Sequence, residues 1–172
     1  MTVSEAREQF RPEEVTILFI AEAPPCADDR FFYFTEVNKG DSLFLYVIRT
    51  VFPDLWDIPT KELRGMKEEL LYRFQEEGFY LEDSLSFPLP KGTTSSQKLK
   101  MIKEGKEQLH HKIKHFQSSA KLVLLSSSVF KANYDYLKAL VYNILNDTTI
   151  PFPGSGQQNK FKEQIAKVDL WE

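Results

Sequence analysis

The chain reads as an α/β domain: an open, parallel four-stranded sheet with helices on both faces, a three-layer αβα sandwich. Three observations predict it. Four short runs rich in β-branched and aromatic residues recur at 15–21, 79–83, 121–125 and 148–152. Between them lie segments with apolar residues at three- and four-residue spacing, the period of amphipathic helices. The runs themselves are nearly continuous in apolar character, as parallel strands covered on both faces must be. A chain of 172 residues with 42% hydrophobic content suffices for one core, so a single domain over 1–172 is expected.

Taken in order, Ser4 to about Phe10 is expected as a short helix, ended ahead of Pro12. Val15-Thr16-Ile17-Leu18-Phe19-Ile20-Ala21 is too short for an ordinary helix and forms the first strand. Glu22 stands at its end, and Pro24-Pro25 forbid further ladder or helix. The loop onward to Gly40 carries Asp28, Asp29 and four consecutive aromatics, Phe31 to Phe34. Asp41 or Ser42 can cap a helix over Leu43–Phe52, apolar almost all round and stopped by Pro53. Thr60 opens a second helix with Leu63, Met66, Leu70, Leu71 and Phe74 on one stripe and Gly78 as its C-terminal cap.

Phe79-Tyr80-Leu81 is then a strand ending in Glu82-Asp83. The loop 84–96 holds Pro88, Pro90 and Gly92, and a long helix is expected from about Gln97 to Gln117. Strand Lys121–Leu125 leads to three serines, any of which can cap a helix reaching about Leu145. A last strand, Thr148–Phe152, breaks at Pro153, and a Gly-Ser-Gly loop leads into a helix near Lys160–Val168. Right-handed crossovers place all four strand-end loops on one edge. Ligands of open α/β sheets bind at that edge, where Glu22, a rigid Pro-Pro loop and aromatic faces suggest a pocket.

Charge is uneven along the chain. Residues 1–90 carry 9 Lys and Arg against 18 Asp and Glu, a net of −9. Residues 91–172 carry 13 against 7, a net of +6, and every basic residue there is Lys. Such a half can face phosphates, or it can be a solvated surface. The one cysteine, Cys26, has no internal partner, and the N-terminal stretch is charged. No apolar run approaches the roughly 18 residues of a membrane span. A cytoplasmic, soluble monomer without metal or cofactor is the expectation.

Several motif lookalikes carry little. Gly154-Ser155-Gly156 opens like a dinucleotide turn but lacks the third glycine and the βαβ unit; what survives is a loop able to hold one phosphate. Ser128-Val129-Phe130-Lys131 fits S-x-x-K without its companion motifs, and a helix cap explains the serine better. His111 and His115 share a helix face, with no third metal ligand in sight.

The four strand-end loops together resemble the uracil-DNA glycosylase superfamily, most nearly its family 4-like and divergent bacterial branches, over almost the whole chain. Ile20-Ala21-Glu22-Ala23-Pro24-Pro25 is similar to that family's G-E-A-P-G strand end. The resemblance implies that Phe32 or Tyr33 stacks on a flipped base and that Asp83 reads its edge, where the family carries Asn. It implies that Glu22, Asp28 or Asp29 positions water, the usual aspartate position being Ala23. It also implies a DNA- and phosphate-binding set of Ser126, Pro151, Phe152, Gly154, Ser155 and Gly156, with Phe152 as wedge.

Two departures bear on chemistry. Ile150 replaces the loop histidine that serves the leaving base, so backbone N–H groups of 154–156 would have to act instead. An ionised Asp83 accepts but cannot donate, which suits an exocyclic amine or a protonated base better than uracil. The expected function is excision of a damaged or deaminated base from single- or double-stranded DNA. The alternative is a silent member of the fold that binds a nucleobase, nucleotide or nucleic acid. A small-molecule hydrolase is less favoured, because no nucleophile–base pair is evident.

Overall fold

The computed structural model describes residues 1–26 and 29–171. Helix α1 (Val3–Gln9) opens on a capping box between Thr2 and Glu5. Strand β1 (Ile17–Ala21) follows, then α2 (Ser42–Val51), α3 (Thr60–Gly65), α4 (Lys67–Glu76) and β2 (Phe79–Asp83). The second half runs α5 (Ser95–Glu104), α6 (Lys106–Ile113), β3 (Lys121–Leu124), α7 (Ser127–Ala139), β4 (Asn143–Ile144) and α8 (Gln158–Ile165). The sheet is parallel throughout, in the order β2-β1-β3-β4. β1 lies in the middle, with Ile17 opposite Phe79 and Lys121, and all five of its residues are buried.

Helices flank the sheet. On one side Phe19 packs against Phe74 of α4 at 5.9 Å between ring centroids, and Phe79 meets Phe52 just past α2. On the other, Tyr80 meets Phe116, in the turn after α6, at 5.9 Å. This alternation of neighbouring β2 residues between two layers is the period of a strand buried on both faces. Gly78 ends α4 with φ +75°, and a Cβ there would meet Thr16 Oγ1 at 2.8 Å, so glycine is required both for the turn and for the close approach.

Three expectations are corrected. The fourth strand is Asn143–Ile144, not Thr148–Phe152; only Ile150 of the expected run touches the sheet, in a single bridge to Leu125. The cause is Asn146. Its side chain accepts from Leu124 N–H at 2.9 Å and donates to Leu124 C=O at 3.1 Å, taking the place of strand backbone. The helix expected to reach Leu145 stops at Ala139, because Val141 turns left-handed at φ 66° and Tyr142 N–H returns to Leu137 C=O. The single helices expected over 60–77 and 97–117 are each two, broken at Met66 and Gly105.

Candidate functional site

The carboxyl ends of β1 and β2 open into a cavity of about 180 Å³. Ala21, Glu22, Ala23 and Pro25 supply one side, and Leu81 with Asp83 another. Arg30, Phe31, Phe32, Gly40 and Asp41 come from the long loop, Leu43 and Phe44 from α2, and Phe152 from the last loop. Drug-sized sites span roughly 300–1,000 Å³, so this one suits a single small ring system. Its lining is mostly apolar and aromatic, with a few polar side chains at fixed places.

Each polar group is held from behind. Glu22 Oε2 lies 2.9 Å from Lys98 Nζ, in the first turn of α5. Asp83 Oδ2 accepts from Arg7 Nη2 at 2.6 Å, and Arg7 Nη1 also lies 3.1 Å from Glu82 Oε1. Lys112 completes the buried group, donating to the Asp83 carbonyl and lying 3.5 Å from Glu82. Burial pushes the Asp83 carboxyl up to about 6, against the pull of Arg7. Asp41 receives a forked contact from Arg64, with Nη2 at 2.6 Å.

The aromatic wall is rigid. Phe32 is 5% exposed and wedged among Tyr33, Phe44 and Phe74 at 4.9–5.6 Å. Phe31 carries the Arg7 guanidinium over its face at 5.1 Å. Behind this wall sits Lys67, only 1% exposed. Its Nζ donates to the Phe31 carbonyl at 3.4 Å and lies 4.4 Å from the Phe44 ring centre. Burial lowers its pKa to about 7, partly opposed by Asp41.

The structure brings Glu22, Phe32, Asp83 and Phe152 to one cavity and leaves the other expected residues elsewhere. Tyr33 is fully buried at the free edge of β2, away from the cavity lining. Leu81 N–H donates to its hydroxyl at 2.7 Å, and that hydroxyl donates back to Leu81 C=O at 3.1 Å. It satisfies an edge that no strand covers, rather than offering a face to a ligand. Asp29 is largely exposed and paired with Arg30 at 3.4 Å; Asp28 lies outside the described residues. Ser126 is 2% exposed at φ 82°, its hydroxyl accepting from Val129 N–H as the cap of α7. It is a helix cap and not an open phosphate ligand. Pro151, Gly154, Ser155 and Gly156 flank Phe152 in the last loop without lining the cavity, and Gly154 lies under its ring.

Sequence reading missed Phe31, Arg30, Asp41, Lys98, Arg7 and Lys67 as site residues. Lys98 carried a signal, since the first turn of a helix after a strand-end loop faces the same edge. Arg7 carried none, being 76 residues from its partner Asp83. Among the described residues no cluster of three His, Cys, Asp or Glu is placed to hold a metal ion, and no helix is long and apolar enough to cross a membrane. His115 instead contacts Arg11 at 2.7 Å, and His110 packs edge-on against Tyr136 and Tyr142. Comparison with known proteins returned no match among family models, curated proteins or solved structures.

Proposed function

We propose that the cavity holds one flat heterocyclic base, and that the chain is a DNA glycosylase-like protein excising a damaged or deaminated base. The observation that carries this reading is convergence. Residues 21–44, the end of β2 and Phe152, far apart in sequence, bring phenyl walls and the three carboxyl residues Glu22, Asp41 and Asp83 to one ring-sized cavity at the strand ends. An enzyme acting on a base in DNA must take it out of the stack, grip it by stacking and edge contacts, and deliver water to the sugar. Phe31 and Phe32 serve as the stacking wall, and Asp83 faces the base edge. Glu22, held by Lys98, is the group to accept a proton from water. Phe152, 40% exposed at the rim, and Phe87, 47% exposed on the loop after β2, are available to the neighbouring bases.

A second reading, binding without chemistry, is favoured by one observation. Ile150, at the position of the family's histidine, is 1% exposed and offers no donor to a departing anion. Excision assays against uracil, hypoxanthine and xanthine in single- and double-stranded oligonucleotides, with a methylated-DNA arm, separate the two. Release of a base, reduced by about 10²–10⁴-fold in Glu22→Gln, is the expected result. Binding of oligonucleotide with no base released selects the silent binder, and neither binding nor release refutes both.

A further inference from the structure

We propose that the base this cavity is built for is an N-alkylated, positively charged base bearing an amino group, rather than uracil or another oxo base. The inference rests on the base-excision reading above and names its substrate class. Three features of the site point the same way.

The carboxyl groups of the lining leave acceptor oxygens free, beside one guanidinium, that of Arg30. Arg7 occupies Asp83 Oδ2, and Oδ1 accepts no hydrogen bond among the described residues. Lys98 holds Glu22 Oε2 in the same manner. An amino group donates to such an oxygen, whereas a carbonyl at the same place would set lone pair against lone pair. A carboxylate at this position, unlike an amide, offers an oxo base no donor.

The walls are π faces. Phe31, Phe32 and Phe44 line the cavity; Arg7 already lies over Phe31 and Lys67 over Phe44, which leaves Phe32 as the ring with no such cation among the described residues, and a cationic ring is attracted to such a face more strongly than a neutral one. Among the described residues the lining holds one cation, Arg30, which pairs with Asp29 at 3.4 Å. Of the other cations around the site, Arg7, Arg64, Lys98 and Lys112 are each engaged with a carboxylate, while Lys67, behind the wall, contacts the Phe31 carbonyl and the Phe44 ring.

The leaving group is the third feature. Breaking the bond from C1′ to the ring nitrogen sends the bonding pair into the base. Uracil departs as an anion and needs a donor; at Ile150, where the resemblance leads one to expect a histidine, the side chain has none. An N-alkylated base is already cationic, so the same electron pair neutralises it and it departs as a neutral molecule. Water adds to C1′ and passes its proton to Glu22. One water and one cationic nucleotide thus give a neutral free base, an abasic sugar and one proton. The missing donor is then no defect of the site, because this reaction does not call for one.

The test uses the full chain with dimethyl sulfate-methylated DNA and, in parallel, uracil- and hypoxanthine-containing oligonucleotides, the released bases being separated by chromatography. Methylated adenine and guanine should appear at about tenfold or more above the protein-free rate, with uracil and hypoxanthine at background. Asp83→Asn, which restores an amide donor, should lower methylated-base release and raise uracil release. Release of uracil or hypoxanthine without any methylated base overturns this inference and leaves the excision reading standing. Release of none of these bases overturns both.

Discussion

Lys67 is the residue whose placement is hardest to reconcile with stability alone. A lysine amine with 1% exposure, touching one carbonyl and one phenyl face, costs free energy in its charged form. Its native pKa of about 7 lies below the ordinary value of 10.5, with burial as the cause. Between those two values the unfolded chain holds a proton that the native state has released. Unfolding therefore takes up a proton, and native stability rises as pH rises from about 7 to 10.5. Below 7 the full cost is present. Lys67→Met should stabilise the protein at pH 6 by about 1–4 kcal/mol and remove its share of that rise. Urea denaturation of both proteins at pH 6 and 9.5 checks it; an equal difference at the two pH values would show that the amine does not titrate as its burial requires. Phe31, Asp41 and Phe44, which surround this amine, also line the cavity.

At the scale of elements, the end of the sheet depends on one side chain. Asn146 bonds both backbone groups of Leu124 and also donates to Thr148 C=O at 3.0 Å, letting the chain leave the sheet after Ile144 and touch it again at Ile150. Asn146→Ala orphans the buried Leu124 N–H and C=O, and should cost about 1–3 kcal/mol per group lost. Thermal denaturation reads the loss, and hydrogen exchange at Leu124 should accelerate with it. The first three strands were legible because apolar runs of five or so residues between helical periods have few other solutions. The fourth was not. Thr148–Phe152 has strand composition, but a side-chain amide mimicking backbone leaves no mark in a hydrophobic pattern. The breaks at Met66 and Gly105 were hidden for a related reason: the apolar stripe continues across each break, and periodicity cannot see a one-residue change of backbone. In the cavity, Glu22 and Asp83 were readable because they stand at strand ends, and Phe32 because it lies in the long loop that follows β1. Tyr33 misled because an aromatic next to a stacking candidate has the same composition whether it faces a ligand or seals a strand edge with its hydroxyl.

The carboxyl edge gathers the loops after β1 and β2, stitched by Cys26 Sγ against Leu89 C=O at 3.0 Å and by Glu22 against Lys98. The last loop adds Phe152 to the same cavity. α1 reaches that edge too, since Arg7 binds the two carboxylates that end β2. On the proposed reading, a base inserted here would be gripped by parts of the chain from Arg7 to Phe152. On the proposed reading this cavity, and no other surface, would receive a single base from DNA. It is tested most directly by NMR with methyl-labelled alanine and leucine, titrating single-stranded oligonucleotides that carry one damaged base or none. The account predicts saturable shifts at Ala21, Ala23, Leu43 and Leu81 with the damaged strand, and much weaker ones with its undamaged match. Shifts confined to other methyls, or equal for the two strands, would contradict it.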